Sequence, residues 1–412
     1  MNAPQTPPST DSPPTSSGDA GWLNRSVLGI GLASLLSDVG HEMATSVLPL
    51  LVVTLGGASA ALGLIEGVAD AASSFAKLLS GLYSDRLKRR KPLAVAGYFL
   101  TASGMASFAF ATQTWQLLVG RVIGWIGRGA RTPVKNVLLT EATTPATYGH
   151  AFGLERTMDS AGAVVGPLLA LGLVGAIGIR PTLALTLVPG CLAALAIALL
   201  VRERAHPPPR TRTFWASLQT FPVPYRRFLT GVGIAGLGDF SNTLLILWAT
   251  QAWAPRLGLV AAARWAMIFY VGYNVVYTGM CFVAGALADA YPKVHVLATG
   301  YLLAALPAAV LILPGTSFTK FAAVFALSGV YMGFWETVEG SAAAELLPLE
   351  VRGVGFGVLA TVNGFGDLVS SALVGLLWTV SPQLAMLTVI VLCIFGALVV
   401  FRSRAPVAVR GQ

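Results

Sequence analysis

Among the ionisable residues within apolar stretches in the first third of the chain, five form one group. Asp38 and Glu42 are four residues apart, as are Glu66 and Asp70, so each pair lies on one face of a helix. Arg121 follows in a later apolar stretch. Four carboxyls with one nearby cation cannot all stay ionised cheaply, because burial and like charge both favour the neutral form. These residues are therefore predicted to carry protons or contact a substrate. Fixed salt bridges around a wet cavity are the alternative.

A second group of charged residues is predicted nearer the inner side of the molecule. Its members are Arg128, Arg131, Lys135, Glu155, Arg156, Asp159, Glu336 and Glu339. Adjacent antiparallel helices would bring the residues of 128–135 and 155–159 to similar depth. The two glutamates occupy an equivalent place in the second part of the chain, so cations and acids are expected to face each other. We interpret the group as an inner charge network that either closes one side or binds a charged substrate. Asp239 and Asp367 add polarity near the middle.

Signatures of enzymes are weak in this sequence. The segment from His41 to Thr45 begins like H-E-x-x-H but lacks the second histidine ligand. Ser74 and Lys77 fit S-x-x-K, a pattern too short to weigh much, and no Walker loop is present. The three cysteines lie in apolar runs without a metal-binding spacing. We therefore expect no enzymatic activity, no metal and no cofactor, with a proton gradient as the energy source. A membrane sensor or intramembrane enzyme is the remaining alternative class.

The composition shows which elements must position these groups. Of 412 residues, 55% are apolar and only 11% are charged, and the mean hydropathy is +0.72. A soluble domain carries about 25% charged residues. Apolar segments long enough to cross a bilayer follow one another at about 23–53, 61–83, 92–111, 114–140, 151–176, 181–202, 226–253, 262–289, 293–313, 317–340, 352–378 and 382–402. We predict an all-α membrane protein with twelve transmembrane helices.

The distribution of basic residues predicts the orientation. An even number of spans puts both termini on one side, and that side carries seventeen Lys and Arg residues in its loops and helix ends. The opposite side has four, Arg180, Arg256, Arg264 and Lys320. The positive-inside rule then makes both termini cytoplasmic in a multi-pass protein of the cell membrane. The net charge of +9 is mostly explained by this topology, so no nucleic-acid partner is expected.

An internal repeat divides the chain into two halves. A shift of 204 residues superposes Asp85 on Asp289 and Glu141 on Glu345, together with several glycines. We predict a disordered cytoplasmic tail at 1–20, a six-helix bundle at 21–202, a cytoplasmic linker at 203–225, a second six-helix bundle at 226–403 and a short tail at 404–412. Related halves around a midplane site are typical of alternating-access transporters.

The loop after the second span carries a specific motif. Gly81-Leu-Tyr-Ser-Asp85-Arg86-Leu-Lys88-Arg89-Arg90 resembles the loop 2–3 signature of the major facilitator superfamily, G-x-L-x-D-R-x-G-R-R, with Lys88 in place of the second Gly. The resemblance covers about residues 21 to 403. It implies the fold of two pseudo-symmetric six-helix bundles. A carboxylate at a helix end beside fixed cations can hold a closure together. We predict a cytoplasmic gate formed by Gly81, Asp85, Arg86, Arg89 and Glu141.

Span five carries a glycine pattern, Gly153-x8-Gly162-x3-Gly166-Pro167, which resembles the antiporter signature of the superfamily. Ala170-Leu171 replaces its terminal glycine pair. Glycines at this spacing permit close helix packing, which the resemblance associates with exporters. Arg121 lies at the position of the superfamily's span-four arginine, which is associated with proton coupling in related antiporters.

Together these features predict a secondary transporter of a small molecule, with efflux coupled to proton entry, that acts as a monomer in the lipid bilayer. The alternative is a proton-coupled uptake symporter for a small anionic metabolite attracted by Arg128, Arg131 and Lys135. The identity of the substrate stays open.

Overall fold

The computed structural model describes residues 21–56, 59–203, 214–239 and 242–403, and these residues form helices and loops without a strand. The predicted tails at 1–20 and 404–412 lie outside the described residues. The first half contains α1 (Arg25–Thr54), α2 (Ser59–Ser84), α3 (Lys91–Ala106), α4 (Thr114–Glu141), α5 (Tyr148–Ile177), α6 (Ile179–Leu185) and α7 (Leu187–Leu200). The second contains α8 (Phe214–Gln219), α9 (Val223–Gly236), α10 (Asn242–Leu257), α11 (Leu259–Ala290), α12 (Lys293–Ile312), α13 (Phe318–Leu346), α14 (Arg352–Val380) and α15 (Pro382–Phe401).

The helices coincide closely with the predicted spans. Within the described ranges, eight continuous or paired helices are long and apolar enough to cross a membrane. The other four predicted spans coincide with α1, α2, α4 and the pair α9–α10, of which the first three carry the ionisable residues considered above. A crossing count of twelve stays a prediction. The short helix α8 lies within the predicted linker.

Each half has the same pattern of packing. In the first half α1 packs on α5 and α7, α2 on α4, and α3 on α4 and α7. In the second half α9 packs on α14 and α15, α11 on α13, and α12 on α13 and α15. The halves meet along α2–α14 and α5–α11, two contacts that the 204-residue shift exchanges. The protein is thus an all-helical molecule of two pseudo-symmetric bundles.

Two contacts mark the axis that relates the halves. The Arg352 guanidinium donates to the Tyr148 hydroxyl over 3.2 Å, and these residues are 204 positions apart. The Phe152 and Phe356 rings, separated by the same interval, have centroids 6.2 Å apart. Equivalent residues can touch only near a two-fold axis, so this axis passes between the first turns of α5 and α14.

Glycines allow the halves to approach closely. A Cβ at Gly81 would lie 3.0 Å from Gly357 Cα, and one at Gly285 would lie 3.0 Å from Gly153 Cα. Small residues are the usual solution in membranes, where helix association depends on close packing. Both interfaces between the halves therefore depend on close contacts between glycines at equivalent positions.

Candidate functional site

One face of the molecule is closed by two equivalent carboxylates. Asp85, just after α2, accepts hydrogen bonds from the backbone N–H groups of Gly353 and Val354 at 2.9 and 2.7 Å. Asp289, near the end of α11, accepts from the N–H groups of Gly149 and His150, both at 2.7 Å. Each carboxylate thus satisfies free donors at the start of a helix in the other half, where an anion is favoured. We call this side the closed face; it is the side predicted to be cytoplasmic.

The cation beside Asp85 is Arg90. Its guanidinium forms an ion pair with Glu141, donates from Nε to the Ser84 carbonyl at 3.0 Å, and lies 3.9 Å from Asp85. The predicted gate residues Arg86 and Arg89 are exposed. Burial raises the pKa of Asp85 to about 6, although the two backbone N–H donors and Arg90 oppose this shift. The structure thus brings Gly81, Asp85 and Glu141 together, and it adds Arg90, which was not among the predicted gate residues, as the buried cation beside them.

A second cluster surrounds Asp289 and was not predicted as a site. Lys293 lies 3.4 Å from Asp289 and 3.6 Å from Glu345, and it donates to the Pro145 carbonyl over 3.0 Å. The His150 ring nitrogen Nδ1 is 2.6 Å from Asp289. This cluster could have been predicted from the internal repeat, because the 204-residue shift matches Asp289 to Asp85 and Glu345 to Glu141.

Arg121 and Glu66 form the first ion pair of the interior. The guanidinium contacts one Glu66 oxygen from two nitrogens, at 2.8 and 3.1 Å, and donates to the Thr45 hydroxyl at 2.8 Å. Arg121 is 2% exposed, whereas the Glu66 side chain is 35% exposed. The pair therefore joins a fully buried cation to a partly exposed carboxylate.

Arg128 and Asp38 form the second interior pair, at 3.0 Å. Trp125 lies between the two arginines, with its ring centre 5.2 Å from the Arg121 guanidinium and 5.3 Å from that of Arg128. Such contacts between a cation and an aromatic ring add to the ion pairs. Trp125 therefore contacts the cations of both ion pairs.

The remaining members of the predicted cluster are less constrained. The Glu42 carboxylate lies 3.9 Å from His41, and its side chain is 28% exposed. Asp70 is exposed, and within the described ranges no Lys, Arg or His nitrogen lies within 4 Å of its carboxylate. The structure thus separates the predicted cluster into two cation-bound acids, Asp38 and Glu66, and two freer acids.

The inner charge network is centred on α5. Lys135 forms an ion pair with Glu155, which also accepts from the Ser34 hydroxyl at 2.7 Å. Arg156 lies 3.7 Å from both Glu155 and Asp159 and 3.3 Å from Glu336 of the other half. The network therefore connects the halves through Arg156.

Two of the predicted partners lie elsewhere. The Arg131 guanidinium stacks on the Tyr98 ring, 4.0 Å from its centre. Glu339 accepts from Tyr301 at 3.2 Å and from the Asn363 amide. The expected pairing of span-four cations with span-ten acids is thus replaced by a span-five cation on Glu336, because α13 packs on α5.

The glycine pattern of α5 serves two interfaces. A Cβ at Gly162 would lie 2.6 Å from the Leu35 carbonyl oxygen, and one at Gly166 would lie 2.8 Å from the Cβ of Glu42. Gly153 instead faces α11 in the other half, and Pro167 lies inside the helix. Two motif glycines therefore hold α1 against α5 directly behind the acids of α1.

The fold and these sites define a membrane protein of two related halves, joined at one face by paired carboxylates and lined inside by ion pairs. The family model of the Major Facilitator Superfamily matches residues 30–271. The chain belongs to this superfamily, and it is a transporter by fold and family.

Known relatives agree with this assignment. An uncharacterised MFS-type transporter of Methanocaldococcus jannaschii is 28% identical over 389 residues, which cover 91% of this chain and 94% of the relative. The multidrug resistance protein MdtH of Aeromonas hydrophila is 33% identical over 141 residues, 34% of this chain and 35% of that protein. The structure of FucP in the outward conformation, known as the fucose:proton symporter of E. coli, matches with a TM-score of 0.74 at 17% identity, covering 92% of this chain and 99% of that chain.

Proposed function

We propose that this chain exports a small molecule in exchange for protons by alternating access of its two halves. The observation that carries this proposal is the pair Arg121–Glu66, in which a fully buried cation holds a partly exposed carboxylate. Protonation of Glu66 would remove its charge and release Arg121. A cation released in the interior requires another partner, so proton binding would be linked to rearrangement of the ion pairs.

The pair Arg128–Asp38 and the freer acid Asp70 extend this proposal. Asp38 interacts electrostatically with Asp159, which is an ion-pair partner of Arg156, and Arg156 in turn contacts Glu336 of the other half. Proton transfer among Glu66, Asp70 and Asp38 would therefore reach a contact that must break when the halves rock. Carboxyls that exchange protons inside a membrane are the usual components of such relays.

Export is favoured over uptake by two observations. A stretch of the chain resembles a multidrug resistance protein, and α5 carries the packed glycines at Gly162 and Gly166. Uptake of an anionic metabolite would need free cations at Arg128, Arg131 and Lys135. These three engage Asp38, the Tyr98 ring and Glu155 respectively.

The proposal includes the setting of the protein. The chain would lie in the cell membrane with both termini in the cytoplasm, act as a monomer, and require no cofactor, nucleic acid or metal. The closed face would then be cytoplasmic, and the acids between the halves would communicate with the outside.

Counterflow in proteoliposomes with an imposed pH gradient tests this function. The compound to be transported is first selected by growth screens of a deletion strain and by thermal shifts of the purified chain. We expect Asp38→Asn and Asp70→Asn to abolish transport driven by the pH gradient, while Glu350→Gln, at an exposed loop position, leaves it intact. Unchanged pH-driven transport in both Asn variants would show that the assigned acids are wrong. Accumulation in right-side-out vesicles, with none in inside-out vesicles, would replace export by uptake.

A further inference from the structure

A groove opens at the closed face between α3 and α7, outside the seam between the halves. Its volume is about 1000 Å³. Its apolar wall includes Val95, Ala96, Phe99 and Leu199. Phe99 is 54% exposed and Leu199 is 63% exposed, although both belong to helices long and apolar enough to cross a membrane. The apolar wall therefore faces the lipid rather than the interior of the protein.

Basic residues line the end of the groove where α3 begins and α7 ends. Arg89, Lys91 and Arg202 line it directly. Arg25 lies beside them, because its guanidinium donates to the Leu199 carbonyl at 3.3 Å. Four cations thus surround one end of a slot whose other end is apolar.

One acid, Glu203, also lines the groove, but its carboxylate is already engaged. It accepts from the backbone N–H groups of Arg90 and Lys91 at the start of α3. Lys91 in addition donates from Nζ to the Val201 carbonyl at 2.8 Å. Glu203 therefore satisfies the helix start, and the groove keeps an excess of positive charge.

We propose that this groove binds an anionic phospholipid of the bilayer. The headgroup phosphate would lie among Arg89, Lys91 and Arg202, and an acyl chain would lie along Ala96, Phe99 and Leu199. Guanidinium groups bind phosphate oxygens strongly, and basic pockets between transmembrane helices at the cytoplasmic surface suit anionic headgroups. A soluble phosphate compound would use the same cations but would leave the apolar wall uncovered. The combination of cations and a lipid-facing apolar slot therefore favours a lipid.

Native mass spectrometry of the full chain tests the proposal with phosphatidylglycerol, phosphatidylcholine and inorganic phosphate as probes. We expect phosphatidylglycerol to stay bound after delipidation, and retention to fall more than about tenfold in the triple variant Arg89→Gln, Lys91→Gln, Arg202→Gln. The matched control Lys88→Gln, Arg227→Gln removes two exposed charges of the same predicted face and should retain the lipid. Ala96→Trp keeps every charge and fills the apolar slot, so it should also weaken retention.

Three results would overturn the proposal. Equal retention of phosphatidylglycerol and phosphatidylcholine would remove the role of the cations. Unchanged retention in both the triple variant and Ala96→Trp would place the lipid elsewhere. Binding of inorganic phosphate that depends on Arg89, without retention of phosphatidylglycerol, would identify a soluble anion as the ligand. Size-exclusion profiles that match the wild type show that each variant is folded.

Discussion

The Asp85 carboxyl is buried at the end of α2, and it makes two hydrogen bonds to a helix of the other half. Burial raises its pKa to about 6, against the effect of the Gly353 and Val354 donors and of Arg90. When the faces separate, water reaches this carboxyl and its pKa returns towards the usual value near 3.8. The closed state therefore binds a proton more tightly than the open state, and acidification on this side favours closure.

The difference between the pKa of Asp85 in the closed state and in the open state predicts that pH changes the closed population through this residue. Between about pH 7 and about pH 4, the closed population should rise as the pH falls through 6, and the gain should be complete below the pKa of the open state. Spin labels at Lys88 and Leu349, both exposed on this face, measure the distance between the halves. In Asp85→Asn, which is neutral throughout, the pH dependence around 6 should disappear. An identical pH dependence in that variant would assign the effect to other groups.

Prediction from sequence was most successful for the helices and least successful for individual side chains. The 204-residue shift moves Thr114–Glu141 onto 318–345, and α13 spans Phe318–Leu346. Hydropathy and repetition suffice for such bounds, because each helix must satisfy its own backbone inside the bilayer. The conformation of the loop decides which of two consecutive arginines turns inward. The motif therefore led to the prediction of Arg89 as a gate residue, whereas Arg90 is the arginine that forms the ion pair with Glu141. Glu339 was likewise misplaced in the prediction, because its direction depends on how α13 is rotated against α12.

Because α1 packs closely on α5, substitution of different glycines of α5 by alanine should have different effects on stability and transport. At Gly162 an added methyl group would approach the Leu35 carbonyl oxygen at 2.6 Å and the Cβ of Asp38 at 2.9 Å, so the helices must move apart. At Gly172 and Gly175 nothing lies within 4 Å. We expect Gly162→Ala to cost about 1–3 kcal/mol and to reduce transport, because Asp38 is displaced from Arg128. Gly172→Ala and Gly175→Ala should be neutral or slightly stabilising, since alanine favours helix over glycine.

Thermal denaturation in detergent and proteoliposome transport, measured on the same preparations, check this contrast. The three substitutions change the same helix by the same group, so helix propensity cannot explain a difference between them. Equal melting temperatures and equal transport rates for the three variants would mean that α1 and α5 are not held at this distance by Gly162.

At the scale of the whole molecule, closure consists of two equivalent parts on either side of the pseudo-two-fold axis. Asp85 holds the start of α14, and Asp289 holds the start of α5. Both must release when the halves rock apart on this face. The part at Asp289 carries Lys293 and His150 as partners, whereas the part at Asp85 carries Arg90. The two parts are therefore alike in geometry, and they differ in the cation, Arg90 or Lys293, and in the additional histidine beside Asp289.

Two native cysteines make release of the closed face measurable. Cys281 is buried on α11. Its thiol lies beside Thr337 of the same half and near Arg156 and Glu155 of α5 across the seam. Cys393 is equally buried, but it lies within the second half, beside Gly238. With Cys191 replaced by Ser, a thiol reagent should label Cys281 only when the halves separate. Labelling of Cys393 serves as the control, because it requires the second half itself to unfold locally. Peptide mass spectrometry resolves the two sites.

Removal of one carboxylate should shift this equilibrium. Loss of a carboxyl that accepts at a helix start costs about 0.5–2 kcal/mol, so Asp289→Ala should accelerate labelling of Cys281 by about twofold to thirtyfold. Labelling of Cys393 should not change, and Glu350→Ala, at an exposed position of the same face, should change neither rate. Asp85→Ala should act in the same direction, because opening on one side of the axis weakens the other. If Asp289→Ala accelerates both cysteines equally, its carboxylate stabilises the second half itself. If it accelerates neither, Asp289 does not contribute to closure, and the seam is held by other contacts, including those of Asp85, the glycines and the Arg156–Glu336 pair.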